Sequence, residues 1–171
     1  MSPSLSMYQA SVPVFVRALR NLKHVLEKGQ AHAQERGFDA GVLLQTRLYP
    51  DMLPLLRQVQ NATDTAKFGA ARLAGVESPK FDDDETSFAE LYARLDRVID
   101  YLGRFDEAAF AGSETRAITL PTRSRGELKF DGRGYLLGFA TPNLYFHVST
   151  AYAILRHSGV PVGKRDFLGD H

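Results

Sequence analysis

The chain of 171 residues contains no cysteine and no excess of either charge. The absence of cysteine excludes disulfides, thiolate metal sites and cysteine nucleophiles. The 21 basic and 20 acidic residues leave a formal net charge of +1, which gives no general attraction to nucleic acid or to a membrane surface. We therefore expect neither nucleic acid nor a membrane as a partner.

Long hydrophobic runs are also missing. No apolar stretch approaches the roughly 18 residues that a membrane span requires. The residues from Met1 to Gln9 lack the basic and apolar regions of a signal peptide. An apolar content of 44% and a charged content of 24% are ordinary for a globular chain. We expect one cytoplasmic domain that spans residues 1–171.

Apolar residues recur with the helical period in the first half of the chain. The first long helix is predicted to run from about Val12 to Gly37. A short helix should follow, with Asp39 as its N-cap. The second long helix is predicted to begin at about Asp51 and to end near Gly75.

The acidic run Asp82–Glu85 separates this helix from the next. Its spacing does not match a calcium loop, so we interpret the run as a solvated connection. Ser87 and Glu90 form a capping-box pattern at the start of the third long helix. The final helix is predicted to have Thr141 as its N-cap and to end at Gly159.

The hydrophobic period changes from helical to alternating between Glu114 and Phe130, with turn residues from Pro121 to Gly126. This pattern predicts a small β-hairpin before the last helix. A lone hairpin is marginal in water, so its apolar face must rest on the helices. The elements together predict a mainly α protein, a four-helix bundle that is either up-and-down or has one crossover through the hairpin.

His147 is the one histidine predicted on the inward face of a helix. Asn143 lies one turn earlier on the same face. Gln58 and Thr65 of the second long helix approach His147 if those two helices are neighbours. One interpretation is a buried neutral histidine that is paired for structural reasons alone. The other is a pocket in which these four residues bind a small polar ligand.

Other candidate sites are weaker. His24, His32 and His171 have no partner at metal-ligand spacing, and we interpret them as surface residues. The residues around the hairpin are locally basic, but only Phe130 and Tyr135 offer rings on which bases could stack. These basic residues are Arg116, Arg123, Arg125, Lys129 and Arg133. In the charged tail, Phe167 and Leu168 indicate docking on the bundle or on a second copy of the chain.

Two blocks of sequence carry a family resemblance. The segment from Gln45 to Val59, QTRLYPDMLPLLRQV, and the block from Phe146 to Gly169 resemble signatures of a domain-of-unknown-function family, DUF1993. That family is similar to the DinB-like proteins, so the resemblance implies a four-helix bundle that often forms dimers. It also implies, for many relatives, a divalent metal held by one histidine of the second helix and a His-x-x-x-His pair of the last. Some of those relatives catalyse hydrolysis or thiol transfer.

This chain departs from that ligand set. In the register of the resemblance, His147 takes the place of the second histidine of the pair, Asn143 the first, and Gln58 the ligand of the second helix. One imidazole with two amides is a poor site for zinc or nickel. We therefore expect no metal, no cofactor and no catalytic residue, but a relict pocket for a small polar ligand in a homodimer.

Two alternatives remain open. One is a metal-dependent DinB-like hydrolase or thiol transferase that uses other ligands, such as Asp64. The other is a purely structural homodimer, in which the hairpin and the tail serve as contact surfaces.

Overall fold

The computed structural model describes residues 4–122 and 126–170. The helices of this part are α1 Val12–Arg36, α2 Gly41–Gln45, α3 Leu55–Ala74, α4 Phe88–Leu102, α5 Gly132–Tyr135, α6 Thr141–His157 and α7 Lys164–Leu168. The strands β1 Ile118–Thr122 and β2 Gly126–Phe130 pair antiparallel, and a π-helical turn, Leu136–Ala140, joins α5 to α6. The predicted mainly α fold with a hairpin before the last helix is confirmed.

Several helix ends form where the sequence predicts them. Gly37 and Gly75 follow α1 and α3 in the left-handed conformation, with φ of 73° and 70°, which favours glycine. At the start of α4, the Ser87 hydroxyl accepts a hydrogen bond from the Glu90 N–H at 3.3 Å, and the Glu90 carboxylate accepts from the Ser87 N–H at 3.0 Å. This reciprocal pair is the predicted capping box.

The starts of α2 and α3 lie later than predicted. Asp39 accepts a hydrogen bond from the N–H of Gly41 at 2.8 Å, but Ala40 is the N-cap of α2. The predicted start of α3 at Asp51 is wrong, because Pro54 is its N-cap and has an extended backbone, with ψ of 166°. A residue that precedes the first helical turn needs no N–H for the helix, so proline is tolerated there.

Thr141 is not an N-cap. The helix begins ten residues earlier, where the Asp131 carboxylate accepts from the Gly134 N–H at 2.6 Å, and it continues through the π-helical turn into α6. The Thr-Pro pattern misled the prediction because it resembles a helix start. Here Pro142 lies in the first turn of α6, two residues after the π-helical turn. A proline removes one donor from the helical hydrogen-bond ladder and favours a local irregularity.

Pairs of neighbouring residues on the four long helices fix the directions of the helices. These pairs are Lys23 with Asp96 and Gln30 with Tyr92 between α1 and α4, Gln58 with His147 and Thr65 with Asn143 between α3 and α6, and Leu22 with Val148 and Gly29 with Leu155 between α1 and α6. Accordingly α1 runs parallel to α6, while α3 and α4 both run in the opposite direction. Two consecutive parallel helices require a connection that returns along the bundle.

That crossover is the segment 75–87 between α3 and α4, and not the hairpin. The chain returns to the first turns of α3, where Asp83 accepts from Arg57 at 2.9 Å and Glu85 accepts from Gln60 at 2.8 Å. The interpretation of the acidic run as solvated is therefore wrong for Glu85, which is only 9% exposed. A buried carboxylate requires a cation, and Arg94 supplies it.

The Arg94 guanidinium is fully buried and joins three parts of the chain. It donates to Glu85 at 3.0 Å, to Asp64 at 2.8 Å and to the hydroxyl of Thr63 at 2.7 Å. Asp64 and Thr63 belong to α3, Glu85 belongs to the crossover, and Arg94 itself belongs to α4. The network therefore holds the crossover against both parallel helices.

The hairpin rests its apolar face on the helix that follows it. Ile118 and Leu120 of β1 are buried, and Ile118 pairs with Phe130 of β2. The Phe130 ring contacts those of Tyr135 and Phe139, with centroids 5.9 and 5.8 Å away. No helix in the described part of the chain is long and apolar enough to cross a membrane.

The C-terminal helix α7 docks on the bundle of its own chain. Phe167 packs edge-on against Tyr152 with ring centroids 5.8 Å apart, and Asp166 accepts from Lys28 at 2.9 Å. The hydrogen bond from Lys28 keeps the pKa of Asp166 well below its ordinary value. His24 is exposed, as predicted for a surface residue, and it also contacts Asp166 at 3.0 Å.

Replacement of Arg94 tests the importance of the network. We expect Arg94→Met to lower the free energy of unfolding by about 3–5 kcal/mol, because Glu85 and Asp64 lose a buried cation. The matched control is Lys23→Met, which breaks the more exposed 2.8 Å pair with Asp96 and should cost less than about 1 kcal/mol. Urea denaturation measures both values, and equal losses would contradict the role given to Arg94.

Candidate functional site

His147 is held by Gln58 in a defined orientation. Its Nδ1 lies 2.8 Å from Gln58 Oε1, and Gln58 Nε2 donates to the carbonyl of Leu53 at 3.1 Å. Because the amide nitrogen is engaged with Leu53, the amide oxygen accepts and Nδ1 carries the proton. The Nε2 atom of the neutral ring is therefore an acceptor, and it has no partner among residues 4–122 and 126–170. Burial lowers the pKa of His147, which favours this neutral form.

Asn143 and Thr65 form a second pair next to the first. Asn143 Nδ2 donates to the Thr65 hydroxyl at 2.8 Å, and that hydroxyl donates to the carbonyl of Asn61 at 2.7 Å. The side-chain amide oxygen of Asn143, Oδ1, accepts no hydrogen bond within the part of the chain described. The site thus presents two acceptors, His147 Nε2 and Asn143 Oδ1, without protein donors.

A cleft of about 300 Å³ opens between α3 and α6 at these residues. This volume lies at the lower end of the range for small-molecule pockets. Its lining side chains are Asn61, Asp64, Thr65, Phe68, Arg72, Leu120, Tyr135, Phe139, Asn143 and His147. Of the four predicted pocket residues, His147, Asn143 and Thr65 line the cleft. Gln58 is buried behind His147 and acts on the cleft through it.

The π-helical turn aligns one row of residues along the cleft. Tyr135, Phe139, Asn143 and His147 follow one another at intervals of four and all line the same cleft. On a regular α-helix, residues four apart drift around the axis by about 40° each time. The wider π-helical turn offsets part of this drift and keeps the row on one face. Tyr135 and Phe139 were not predicted to line the pocket, although the spacing of four residues was the available signal.

Arg72 supplies a positive charge at the opposite end of the cleft from His147. Its Nη1 donates to the hydroxyl of Tyr135 at 2.9 Å, and its guanidinium lies 5.2 Å from the Phe68 ring centroid and 5.7 Å from that of Tyr135. Burial raises the pKa of Tyr135, so its hydroxyl remains protonated at neutral pH. The two rings and one hydrogen bond hold the guanidinium in position.

The residues present do not fit a divalent transition metal. Within residues 4–122 and 126–170, no three histidine, aspartate or glutamate side chains are grouped to hold one. Asp64, the alternative ligand, already accepts from Arg94 at 2.8 Å and from Lys67 at 3.0 Å. His147 offers one nitrogen, and the amides of Asn143 and Gln58 are weak ligands for zinc or nickel.

The remaining predicted sites do not assemble. Tyr135 is buried and Phe130 packs on it, so neither ring is available to stack on bases. Arg123, Arg125 and His171 lie outside the described residues. A wider surface groove of about 740 Å³ lies between residues 77–81 and the end of α4, where basic and acidic side chains alternate. It has no counterpart to the oriented histidine.

Comparisons with known proteins identify relatives of the whole chain. A family model described as Domain of unknown function (DUF1993) matches residues 7–168. The crystal structure of a DinB family member protein from Shewanella denitrificans is similar with a TM-score of 0.90 and 46% sequence identity. The similarity covers 96% of this chain and 93% of that chain. No curated protein sequence matches the chain significantly.

The state of His147 can be tested by the pH dependence of stability. Its folded-state pKa lies below the ordinary value of 6.5, so folding favours the neutral ring. This contribution is complete above about pH 6.5 and declines as the pH falls towards the folded-state pKa. The window from about pH 7.5 to about pH 5 lies above the range in which most carboxylates titrate.

We expect the free energy of unfolding of the wild type to fall more across this window than that of His147→Gln, which cannot be protonated. Urea denaturation at each pH gives the two slopes. His32→Gln serves as the control for removing a histidine outside the cleft. Equal slopes for the wild type and His147→Gln would show that His147 is not held neutral by the fold.

Proposed function

Since the chain belongs to the DUF1993 family and has the fold of the DinB family, we propose that it is a small-molecule-binding bundle. In this proposal a single cytoplasmic domain binds a small polar ligand in the cleft between α3 and α6. The observation that carries the proposal is the unpaired Nε2 of His147, held at the cleft by the bond from Nδ1 to Gln58.

The arrangement of His147 leaves one ring nitrogen available to a ligand. His147 is nearly buried, and one of its nitrogens is satisfied by Gln58. Nε2 has no donor among the described residues and is open to the solvent of the cleft, where a water molecule or a ligand can donate to it. Asn143 Oδ1 presents a second acceptor to the same space. A ligand that carries a donor can satisfy both groups and displace water from them.

The surface next to the cleft supports a second proposal, the homodimer. Phe146 is 55% exposed although its ring contacts His147 at 5.2 Å, and Leu53, whose carbonyl binds Gln58, is 42% exposed. Tyr49, in the same loop as Leu53, is 66% exposed. Apolar side chains grouped at one place favour contact with another protein surface. We propose that a second copy of the chain covers them.

A ligand screen tests the binding proposal. We expect at least one small polar metabolite to raise the melting temperature of the wild type, because a ligand at about 100 times its Kd adds about 2.7 kcal/mol of stability. The gain should be lost in His147→Phe, which keeps the ring volume and removes the acceptor, but kept in His32→Gln. Absence of any stabiliser, or equal stabilisation of His147→Phe, would refute the proposal.

Elemental analysis decides between this proposal and the metal-dependent alternative. Protein without a tag is analysed before and after incubation with zinc, nickel and manganese. We expect metal well below one ion per chain, because His147 supplies the single imidazole of the cleft. Stoichiometric metal that is lost in His147→Ala would replace the binding proposal by a metal-dependent enzyme.

Sedimentation velocity tests the homodimer. The wild type should sediment as a dimer, and Phe146→Asp should shift the equilibrium to the monomer, because it introduces a charge into an apolar contact. Val76→Asp is the matched control, since Val76 is also exposed but follows the opposite end of α3 from Leu53. A wild-type monomer, or dissociation by both variants alike, would contradict the proposed surface.

A further inference from the structure

We infer that the ligand of the cleft is a flat organic anion with a hydrogen-bond donor at its far end. Its carboxylate binds Arg72, its apolar body lies against the partly exposed rings of Phe139 and Phe68, and its donor faces His147 Nε2. This inference rests on the proposed function, because it names the ligand class of the same cleft. Three features of the cleft carry it, one for each part of the ligand.

The first feature is the charge of the cleft. Asp64 and Arg72 are the charged side chains that line it, and Asp64 is already paired with Arg94 and Lys67. Arg72 makes no ion pair with any residue of the described ranges. The cleft therefore has one uncompensated positive charge. An arginine fork that is half-buried and already held in place suits a planar carboxylate, to which it can donate two parallel hydrogen bonds.

The second feature is the aromatic wall beside Arg72. Tyr135 and Phe139 stack with centroids 5.9 Å apart and an angle of 19° between their planes. Tyr135 is buried, so Phe139, which is partly exposed, is the ring of this pair that a ligand can contact. Phe68 of α3 and Leu120 of the hairpin line the same cleft. Rings and an aliphatic side chain form apolar walls, which favour a flat conjugated or aromatic body over a hydrated polar chain.

The third feature is the pair of acceptors at the other end. His147 Nε2 and Asn143 Oδ1 both need a donor, so the ligand contributes a hydroxyl or an amine there. Thr65, the partner of Asn143, and Arg72 are seven residues apart on α3, which is about 10 Å along the helix axis. The donor and the carboxylate are thus separated by roughly the length of one aromatic ring with a short side chain.

A matched series of compounds tests each part of the inference by isothermal titration calorimetry. The complete probe is 4-hydroxycinnamate, which has a phenolic donor, a flat body and a carboxylate. Cinnamate lacks the donor, 4-hydroxycinnamyl alcohol lacks the anion, and 8-hydroxyoctanoate lacks the flat ring. We expect each of the three incomplete compounds to bind at least about tenfold more weakly than the complete probe.

Substitutions of Arg72 test whether this side chain binds the carboxylate of the ligand. Arg72→Gln should weaken binding of 4-hydroxycinnamate by about tenfold or more, while the affinity for 4-hydroxycinnamyl alcohol should change little. Arg72→Lys keeps the charge without the fork and should give an intermediate loss. Arg104→Gln, in the other groove, is the control and should bind 4-hydroxycinnamate like the wild type. Thermal unfolding of each variant without ligand separates loss of binding from loss of folding.

The outcomes separate the ligand class from the binding function. If 4-hydroxycinnamate fails to bind but other metabolites stabilise the protein in a His147-dependent manner, the ligand class is wrong and the binding function stands. If no compound binds the wild type, the ligand class and the binding function are both wrong. Two results would overturn the assignment of the carboxylate to Arg72. One is an unchanged affinity of Arg72→Gln for 4-hydroxycinnamate, and the other is an equal affinity of the wild type for 4-hydroxycinnamyl alcohol. Binding that survives His147→Phe would place the probe outside the cleft.

Discussion

The bundle depends on the hydrogen bonds and ion pairs that the buried guanidinium of Arg94 makes. Consecutive parallel helices need a returning connection, and the segment 75–87 is rich in charge and has Phe81 as its aromatic contact with the core. Asp83 and Glu85 attach this segment by ion pairs, and Phe81 attaches it through the contacts of its ring with the core and with Lys67, Arg94 and Arg97. A single arginine meets Glu85, Asp64 and Thr63 with short hydrogen bonds, so that its own desolvation is compensated from three directions.

The same network sets the electrostatics of the cleft. Asp64 lines the cleft, but its carboxylate is neutralised by Arg94 and by Lys67, which is buried against the rings of Phe68 and Phe81 at 4.4 and 4.3 Å. Because Asp64 is paired with these two cations, it does not offset the positive charge of Arg72 in the cleft. The residue that anchors the crossover thus also leaves Arg72 as the uncompensated charge of the candidate site.

Local patterns in the sequence predicted the elements better than their arrangement. The capping box at Ser87, the glycine ends of α1 and α3, and the alternation of the hairpin are signals within a few residues, and each was found. The crossover depends on the contact of Glu85 with Arg94, nine residues away on the next helix, and a run of acidic residues gives no sign of such a partner. The prediction of Thr141 as an N-cap was wrong for the opposite reason. The local signal is genuine, but a helix that begins at Asp131 already runs through this position.

The candidate site shows the same division. The interval of four between Asn143 and His147 predicted a shared face, and the face proved to extend back to Phe139 and Tyr135. Arg72 gave no signal in the sequence, because its role depends on the rings that hold it and on the pairing of Asp64 elsewhere. Chemistry that resides in single side chains can be read from sequence, whereas chemistry that resides in the pairing of charges requires the structure.

The amides at positions 58 and 143 explain how a cleft can persist without the histidines implied by the family resemblance. In a metal site each of these positions would direct a lone pair at a cation. The Gln58 oxygen instead accepts from His147 Nδ1, which fixes the tautomer and directs the remaining lone pair outward. Asn143 uses its nitrogen on Thr65 and keeps its oxygen for the cleft. A cluster of neutral acceptors without a cation attracts donors rather than metals, and Arg72 at the far end attracts an anion. The amide positions and the unpaired arginine therefore favour the same class of ligand, an organic molecule with a hydrogen-bond donor at one end and an anionic group at the other.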